Sequence, residues 1–295
     1  MTELTTSVGQ REQVTRVPVR RSFRPLSGSG AWWLLTPPIV ILILLLLVPI
    51  GFLFELALGN SGFEGTFDDR IFRAALVRTV AMATTVAVLA LIIGTVFALA
   101  IAAASRWMAV VMVISLFSLF WTSILVRSYG WLLLYLPRGP IYDILATLGL
   151  RDDPLRWYQT TYAPYPAMVH VMLPYVVLPV WAAARQIDPD HLRAARTLGA
   201  GPWLTFRRVI LPQLRSGIVA GGVLVFVMSL GFYVTPEMLG NPSQPTLAGL
   251  IGFYYGVPGG LPHAAAMSLI LLGVVIVIYL AADRLFRVSE QWGSG

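Results

Sequence analysis

Cysteine and lysine are both absent from this chain of 295 residues, and charged residues of all kinds make up only 12% of it. The lack of cysteine excludes disulfides, thiolate metal sites and a cysteine nucleophile. The lack of lysine excludes a Walker A motif, whose lysine contacts the nucleotide phosphates, so ATP hydrolysis by that chemistry is not available to this chain. Ordinary soluble domains carry about 25% charged residues. The composition therefore excludes a disordered chain, a coiled coil and an ordinary soluble enzyme.

Residues that could carry catalysis are few and scattered. The three histidines, His170, His191 and His263, lie on different segments, and no pair of them has metal-ligand spacing. No G-x-S-x-G nucleophile elbow occurs. The adjacent acids at 68–69 and 152–153 fall in predicted loops. We therefore predict that the chain is not an enzyme and holds no metal or cofactor of its own.

Long apolar runs account for the 57% of hydrophobic residues. A membrane-spanning helix needs roughly 20 mostly apolar residues. Six segments meet this requirement: about 31–54, 76–104, 107–126, 163–184, 214–236 and 263–282. Their hydrophobicity is continuous and does not alternate, which favours helices over the strands of a barrel. The predicted fold class is all-α, a polytopic membrane protein with six transmembrane helices and outer loops at about 55–75, 127–162 and 237–262.

The distribution of arginine predicts the orientation in the membrane. With the N-terminus inside, fourteen of the 21 arginines lie on the inner side, together with six of the 14 acidic residues. The positive-inside rule then places both termini in the cytoplasm. Topology thus explains the net charge of +7, and no nucleic-acid partner is expected.

The first thirty residues are polar and the segment that follows them is not. Residues 1–30 are rich in Thr, Ser, Arg and Gly and are expected to form a mobile cytoplasmic tail. Their five arginines either help to fix the topology or contact anionic lipid. The run 31–54 is longer than the roughly 7–15-residue apolar region of a signal peptide, so we predict a retained signal-anchor helix.

The inner loop at 185–213 has the most specific pattern. Asp188 is a good N-cap and Pro189 a good first helical residue, and Gly199 suits a left-handed helix end. The spacing places Leu192, Ala195 and Leu198 on one helix face. A second helix is predicted to begin at Pro202, with Trp203, Phe206, Val209 and Ile210 as its apolar stripe. Two interpretations remain open: a connector lying on the membrane, or a small-residue helix that another protein surface approaches closely.

Several spaced motifs then occur in order. Within the inner loop the pattern consists of Ala194-Ala195, Gly199, Val209, Leu211 and Pro212. It resembles the EAA loop of permease subunits in type I, binding-protein-dependent ABC importers. Segments 127–131, 170–179, 187–189 and 231–236 resemble the first permease of spermidine/putrescine systems. The resemblance covers roughly 70–285, nearly the whole chain beyond the tail.

The resemblance implies a fold, a mechanism and partners. It implies a transmembrane domain over 70–285, in which the 185–213 loop forms a coupling helix against an ATP-binding cassette ATPase dimer that binds ATP and Mg. It also implies a second permease, giving a heterodimer, an extracytoplasmic solute-binding protein, and a place in the lipid of a bacterial inner membrane. By position, the ATPase would be contacted by Arg193, Ala194, Ala195, Leu198, Gly199 and Ala200.

The sequence departs from the family pattern at two points, and both concern charge. Arg193 stands where the family has a glutamate, which reverses the charge there. The residues Gly231-Phe232-Tyr233, two of them aromatic, stand where many polyamine permeases have an acid. The solute-pathway candidates are Arg127, Tyr129, Trp131, Tyr233 and Glu237. The expected function is import of a polyamine-like solute. The alternatives are another small solute, such as an amino-acid-like molecule or an organic or inorganic ion, or else a stand-alone carrier or a membrane enzyme.

Overall fold

The computed structural model describes residues 29–59, 61–150 and 152–286. Across these ranges the chain forms thirteen α-helices and one π-helix and no strand, which confirms the all-α prediction. In chain order they are α1 Ser29–Gly59, α2 Arg70–Ala103, α3 Arg106–Trp121, α4 Ile124–Tyr135, α5 Pro140–Thr147, α6 Pro164–Ala184, α7 Pro189–Thr197, α8 Pro202–Thr205, the π-helix Phe206–Ile210, α9 Leu211–Gln213, α10 Arg215–Leu230, α11 Val234–Leu239, α12 Leu247–Gly256 and α13 Leu261–Phe286. Residues 1–28 of the predicted tail lie outside the described residues.

The predicted membrane segments are present in two forms. Helices α1, α2, α6 and α13 are each long and apolar enough to cross a membrane. The other two segments are bent pairs: α3 meets the 124–147 segment at 104°, and the 202–213 segment meets α10 at 64°. By length and composition the chain thus has four to six candidate spans, in agreement with a multi-pass membrane protein.

Two predicted spans end earlier than expected, and the outer loops are largely helical. The segment predicted at 107–126 stops at Trp121, because the next two residues adopt extended backbone before α4 begins. The segment predicted at 214–236 stops at Leu230, and α11 follows as a separate short helix. Helices α4, α5, α11 and α12 all lie in regions predicted as loops or span ends. Hydropathy does not detect these breaks, because the polar residues at the first one, Thr122 and Ser123, are few and uncharged and further apolar residues follow.

The chain divides into two compact units, residues 1–49 and 50–295. In the first unit, the ten apolar side chains from Ile39 to Val48 are between 45% and 68% exposed. A helical segment that exposes apolar side chains in this way is typical of a membrane span whose surface is covered by lipid tails or by other helices.

The core of the second unit is formed by α2, α6 and α10, which approach one another through glycines. A Cβ atom at Gly94 on α2 would lie 2.7 Å from Val176 on α6. A Cβ atom at Gly217 on α10 would lie 2.5 Å from the carbonyl oxygen of Pro179. Small residues allow helices to pack closely in lipid, where no hydrophobic force drives them together. The close packing of these three helices therefore depends on glycine, which has no side chain, at the contact positions.

Helix α6 connects the two regions of functional interest. Its 21 residues run from Pro164 to Ala184, a length of about 30 Å at 1.5 Å per residue. The first residue of α6 lines a polar cavity, and the last leads into the 185–213 loop. The two regions therefore lie at opposite ends of one buried helix.

Candidate functional site

Helix α7 in the 185–213 loop begins at the cap that the sequence predicts. The Asp188 Oδ1 atom accepts a hydrogen bond of 2.9 Å from the backbone N–H of Asp190, and Pro189 occupies the first helical position. This arrangement satisfies one of the N–H groups that a helix start leaves without a partner. A helix of only nine residues is marginally stable on its own, so hydrogen bonds at its ends help to stabilise it.

The end of α7 is a Schellman motif. The N–H of Ala200 donates to the carbonyl of Ala195 and the N–H of Gly199 donates to that of Arg196, each at 3.0 Å. Gly199 has φ +75°, in the left-handed region that side chains disfavour. The predicted glycine turn is confirmed, and it fixes the direction in which the chain leaves α7.

The predicted apolar face of α7 is only partly buried. Ala195 is 8% exposed, but Leu198 is 86% exposed. Leu198 is the C-cap residue of α7, so it lies at the end of the predicted face, just before the turn at Gly199. Beyond the turn, Trp203 is 71% exposed and stacks on Phe206, with 5.7 Å between the ring centroids. Leu198 and Trp203 thus form an uncovered apolar tip.

The second helical stretch begins at Pro202, as predicted, and then departs from regular geometry. Residues Phe206–Ile210 form a π-helix before α9, and such turns widen the helix by one residue. Between α7 and this stretch lies a groove of about 680 Å³. Four of the six residues predicted to contact an ATPase line it: Ala194, Ala195, Leu198 and Ala200.

Arg193, where the family pattern has a glutamate, points away from the groove. Its Nη1 atom lies 2.6 Å from Asp190 Oδ1, one helical turn earlier, and the two side chains are 77% and 74% exposed. Exposed pairs of this kind contribute only about 0.2–1 kcal/mol. The reversed charge is therefore balanced within α7 and remains accessible from outside.

The second region is a polar cavity of about 390 Å³ at the other end of α6, and it is built from five parts of the chain. Helices α2, α6, α11 and α12 contribute walls, and the 240–246 segment closes one side. The cavity has two charged side chains, Arg78 from α2 and Glu237 from α11. Asn241, Ser243 and Gln244 add neutral polar groups.

Glu237 reaches across to the start of α12. Its Oε2 atom lies 2.9 Å from the point where a Cβ atom of Gly249 would stand. Thr246 caps α12 by accepting the N–H of Gly249 at 3.2 Å. A carboxylate beside a helix N-terminus is stabilised by the positive end of the helix dipole. Glu237 has no ion-pair partner among the described residues, and the residue is exposed.

Arg78 was not singled out by the sequence analysis. One of its Nη atoms donates to the carbonyl of Pro245, and the neighbouring Thr79 Oγ1 accepts the N–H of Leu247 at 2.8 Å. These bonds tie the 240–246 segment to α2. Like Glu237, Arg78 forms no ion pair with a described residue. Its position three residues into the predicted 76–104 span was the signal that could have identified it.

The remaining pathway candidates lie apart from this cavity. Arg127 donates to the carbonyls of Leu119 and of Thr122, the latter at 2.8 Å, where α3 ends. It therefore satisfies carbonyls that the broken helix leaves without partners. A separate cavity of about 380 Å³ contains Arg127. Trp131 Nε1 donates to His170 Nδ1 at 3.3 Å.

Tyr129 and Tyr233 are both accessible, at 55% and 45% exposure. The ring of Tyr233 packs on Gly252, where a Cβ atom would lie 3.0 Å from it. Helices α4 and α11, which hold these tyrosines, are joined by a buried 2.8 Å hydrogen bond between the hydroxyls of Ser128 and Thr235. Of the five predicted pathway residues, only Glu237 lines the polar cavity.

Comparison with known proteins gives the class to which this arrangement belongs. Residues 153–292 match the family described as binding-protein-dependent transport system inner membrane component. The spermidine/putrescine transport system permease protein PotB of Salmonella typhimurium (strain SL1344) is 30% identical over 222 residues, covering 74% of this chain and 77% of PotB. The inner membrane ABC transporter permease protein YdcU of Escherichia coli K12 is 33% identical over 177 residues, covering 55% and 54%.

Solved structures show the same fold. A bacterial ABC transporter that imports the acidic polysaccharide alginate has a chain that matches with a TM-score of 0.73 at 20% identity, covering 88% of this chain and 96% of the other. A chain of the MetNI methionine ABC transporter matches with a TM-score of 0.54 at 18% identity, covering 74% and 95%. The fold is that of a type I importer permease. The chain belongs to the family of inner membrane components of binding-protein-dependent transport systems, and it is a permease subunit of an ABC importer.

Proposed function

We propose that this chain forms half of the membrane pathway of an ATP-driven importer and that the 185–213 loop couples it to a cytoplasmic ATPase. The observation that carries this proposal is the uncovered apolar tip of that loop. Leu198 is 86% and Trp203 is 71% exposed, although both stand on segments with well-formed ends. Burial of a leucine or a larger apolar side chain contributes about 1.5–3 kcal/mol. A tip that stays bare on an ordered loop suits a partner protein that covers it.

The geometry around the tip also supports transmission of movement. The Schellman turn fixes α7 relative to the next stretch, and that stretch continues through α9 into α10 with a 64° bend. Helix α10 packs on α6 through Gly217 and Gly221. Close-packed helices shift as units because their side chains interdigitate. A displacement of α7 would therefore reach the core of the membrane domain, which we assign to 70–285.

The partners follow from this role. An ATPase dimer would bind ATP and Mg and close on the coupling loop, since this chain has no phosphate-binding lysine. A second permease would complete the pathway, and an extracytoplasmic binding protein would deliver the solute at the cavity end of α6. This orientation puts both termini in the cytoplasm of a bacterium, with the chain in its inner membrane. Lipid would cover the bare side chains of α1.

For the cargo we propose a small organic cation of the polyamine type. The relatives named for spermidine and putrescine and the accessible carboxylate of Glu237 in the cavity support this proposal. Identity alone does not determine the cargo, because the molybdenum transport system permease protein ModB of Escherichia coli K12 is also 30% identical, over 162 residues. The argument for a cation beyond sequence identity is the carboxylate of Glu237, one of the two charged side chains of the cavity.

The coupling role is tested by placing a charge on the bare tip. We expect Leu198→Glu to lower ATPase affinity at least tenfold, since the burial of one leucine contributes about 1.5–3 kcal/mol. The folding of this chain should not change, because Leu198 packs on little. Leu150→Glu is the matched control, since Leu150 is 70% exposed and lies outside the loop. Equal ATPase retention by both variants on co-purification would refute the coupling role.

The cargo is tested separately, at Glu237. In the reconstituted importer, Glu237→Gln should lower uptake of 1,4-diaminobutane about tenfold, because an ionic hydrogen bond is worth about 1.5–3 kcal/mol. Glu64→Gln is the control, since that exposed acid lies outside the cavity. Unchanged diamine uptake in the Glu237 variant would remove this residue from the pathway.

A further inference from the structure

A diamine cargo accounts for Glu237 in the polar cavity but leaves Arg78 without a role. Both side chains line the same 390 Å³ space. They are not within 4.0 Å of one another, and neither has an ion-pair partner among the described residues. Arg78 is half-buried and Glu237 is exposed, so a solute that enters the cavity meets two charges of opposite sign that do not compensate one another. An uncharged or singly charged cavity would bind a diamine more simply.

The position of Arg78 is fixed by the fold. Its single protein hydrogen bond, to the carbonyl of Pro245, uses one of the five N–H donors of a guanidinium. The remaining donors can meet a carboxylate, for which the planar fork of arginine is well shaped. A backbone carbonyl does not neutralise the charge. Arg78 is therefore held in place and still able to bind an anion.

Glu237 is held on the other side of the 240–246 segment. Its carboxylate rests on the first turn of α12, beside Gly249, and Phe253 from the next turn lines the same cavity. A cavity lined by a carboxylate and an aromatic side chain offers groups that bind ammonium ions. Gln244 Oε1 accepts the Thr161 hydroxyl at 2.9 Å, so the amide nitrogen of Gln244 remains available as a further donor.

We infer that the polar cavity binds a small linear solute with a carboxylate at one end and an amine at the other, that is, an ω-amino acid. The carboxylate meets the Arg78 guanidinium and the ammonium group meets the Glu237 carboxylate. A cavity of about 390 Å³ is within the usual range for small-molecule sites, about 300–1,000 Å³. This inference rests on the proposed import function but departs from the polyamine cargo, because a diamine leaves Arg78 without a partner of opposite charge. The binding test decides between the two cargoes.

The test uses the importer complex purified with its ATPase and second permease but without its binding protein. Equilibrium dialysis measures the binding of three labelled probes with the same four-carbon chain: 4-aminobutanoate, 1,4-diaminobutane and butanedioate. We expect the amino acid to bind at least about tenfold more tightly than either of the others, because only it satisfies both charges.

Variants then assign each end of the solute. Arg78→Gln should weaken the binding of 4-aminobutanoate about tenfold or more, so that the diamine binds better relative to it. Glu237→Gln should make butanedioate bind better relative to 4-aminobutanoate. Gly249→Ala, which displaces the Glu237 carboxylate without removing it, should give a smaller loss. Arg73→Gln and Glu64→Gln each remove one charge of the same sign outside the cavity, and they should leave the binding of all three probes unchanged.

The outcomes separate this inference from the proposed function. If only the diamine binds, or if no probe binds at millimolar concentration, the zwitterion site is refuted. The zwitterion site is also refuted if the Arg78 and Arg73 variants bind 4-aminobutanoate equally well. In each case the import function stands as long as the binding protein still stimulates ATP hydrolysis by the complex. Loss of that stimulation in the unmodified complex would instead refute the proposed function.

Discussion

The two ends of α6 differ in how they present their side chains. At one end, the 185–213 loop is short, continuous in sequence and bare: Leu198 is 86% exposed and its charged pair, Arg193 and Asp190, faces outward. At the other end, the polar cavity is built from distant segments. Arg78 and Thr161 donate hydrogen bonds to its 240–246 segment, and Thr79 accepts one from Leu247 immediately after it. The first region suits contact with a protein surface, and the second suits contact with a small solute.

This comparison predicts its largest effect at Gly199. Gly199→Asp places a side chain at φ +75°, which costs about 1–2 kcal/mol, and adds a negative charge at the negative end of α7. We expect binding-protein-stimulated ATP hydrolysis to fall at least tenfold while the chain still inserts in the membrane.

The matched control is Gly201→Ala. Gly201 lies two residues away, has φ −68°, and has nothing near its Cβ position. We expect its coupling to be unchanged. If Gly199→Asp retained coupling, the direction of α7 would not matter for coupling. The loop end of α6 would then have no demonstrated role in transmitting movement from the ATPase.

A second prediction concerns the helices that connect the two ends. Gly217→Ala places a Cβ atom 2.5 Å from the carbonyl oxygen of Pro179. Overpacking of this kind costs about 1–3 kcal/mol, so the thermal unfolding midpoint should fall. Gly273→Ala on α13 meets no atom within 4 Å and should be neutral or stabilising, because alanine favours helix. Equal midpoints would contradict the close packing of α6 and α10.

The sequence predicted the loop far better than the cavity, and the reason is distance along the chain. The cap at Asp188, the turn at Gly199 and the start at Pro202 are set by neighbouring residues, and all three are confirmed. The spacing placed Leu198 on the same helix face as Ala195, but the exposure of its side chain depends on what packs against the loop and could not be derived from the sequence. The functional roles of the loop residues stay predictions.

The cavity could not be read from sequence because its walls come together only in the fold. Arg78 and Pro245 are 167 residues apart and form a hydrogen bond. Glu237 was identified as a lone acid near a span end, but its neighbour Gly249 was not. The break after Trp121 was missed for a different reason, since Thr122 and Ser123 carry no charge and interrupt the apolar run only briefly.

A third prediction separates a structural from a solute role at Arg127. Because Arg127 donates to carbonyls at the end of α3, Arg127→Gln should lower stability by about 1–2 kcal/mol and leave the preference among solutes unchanged. Arg138→Gln, at an exposed arginine, should alter neither property. A changed solute preference in the Arg127 variant would support the pathway role that the sequence suggested.

The smallest effect is expected at Arg193. The Arg193–Asp190 pair is exposed and contributes at most about 1 kcal/mol, so Arg193→Ala should leave the unfolding midpoint nearly unchanged. Any loss of ATPase affinity should stay below about fivefold. Asp190→Asn, which breaks the same pair and keeps the arginine, shows whether the charge of Arg193 acts on the partner. A loss above tenfold in Arg193→Ala alone would make this charge a central contact.

The most direct test of the central claim uses the absence of cysteine from the chain. A single cysteine introduced by Leu198→Cys can be cross-linked in the intact, membrane-embedded assembly, with Leu150→Cys as the control. We predict a cross-link between position 198 and the ATPase subunit and none from position 150. If position 198 forms no cross-link to the ATPase in an assembly that still hydrolyses ATP, the 185–213 loop is not the coupling element.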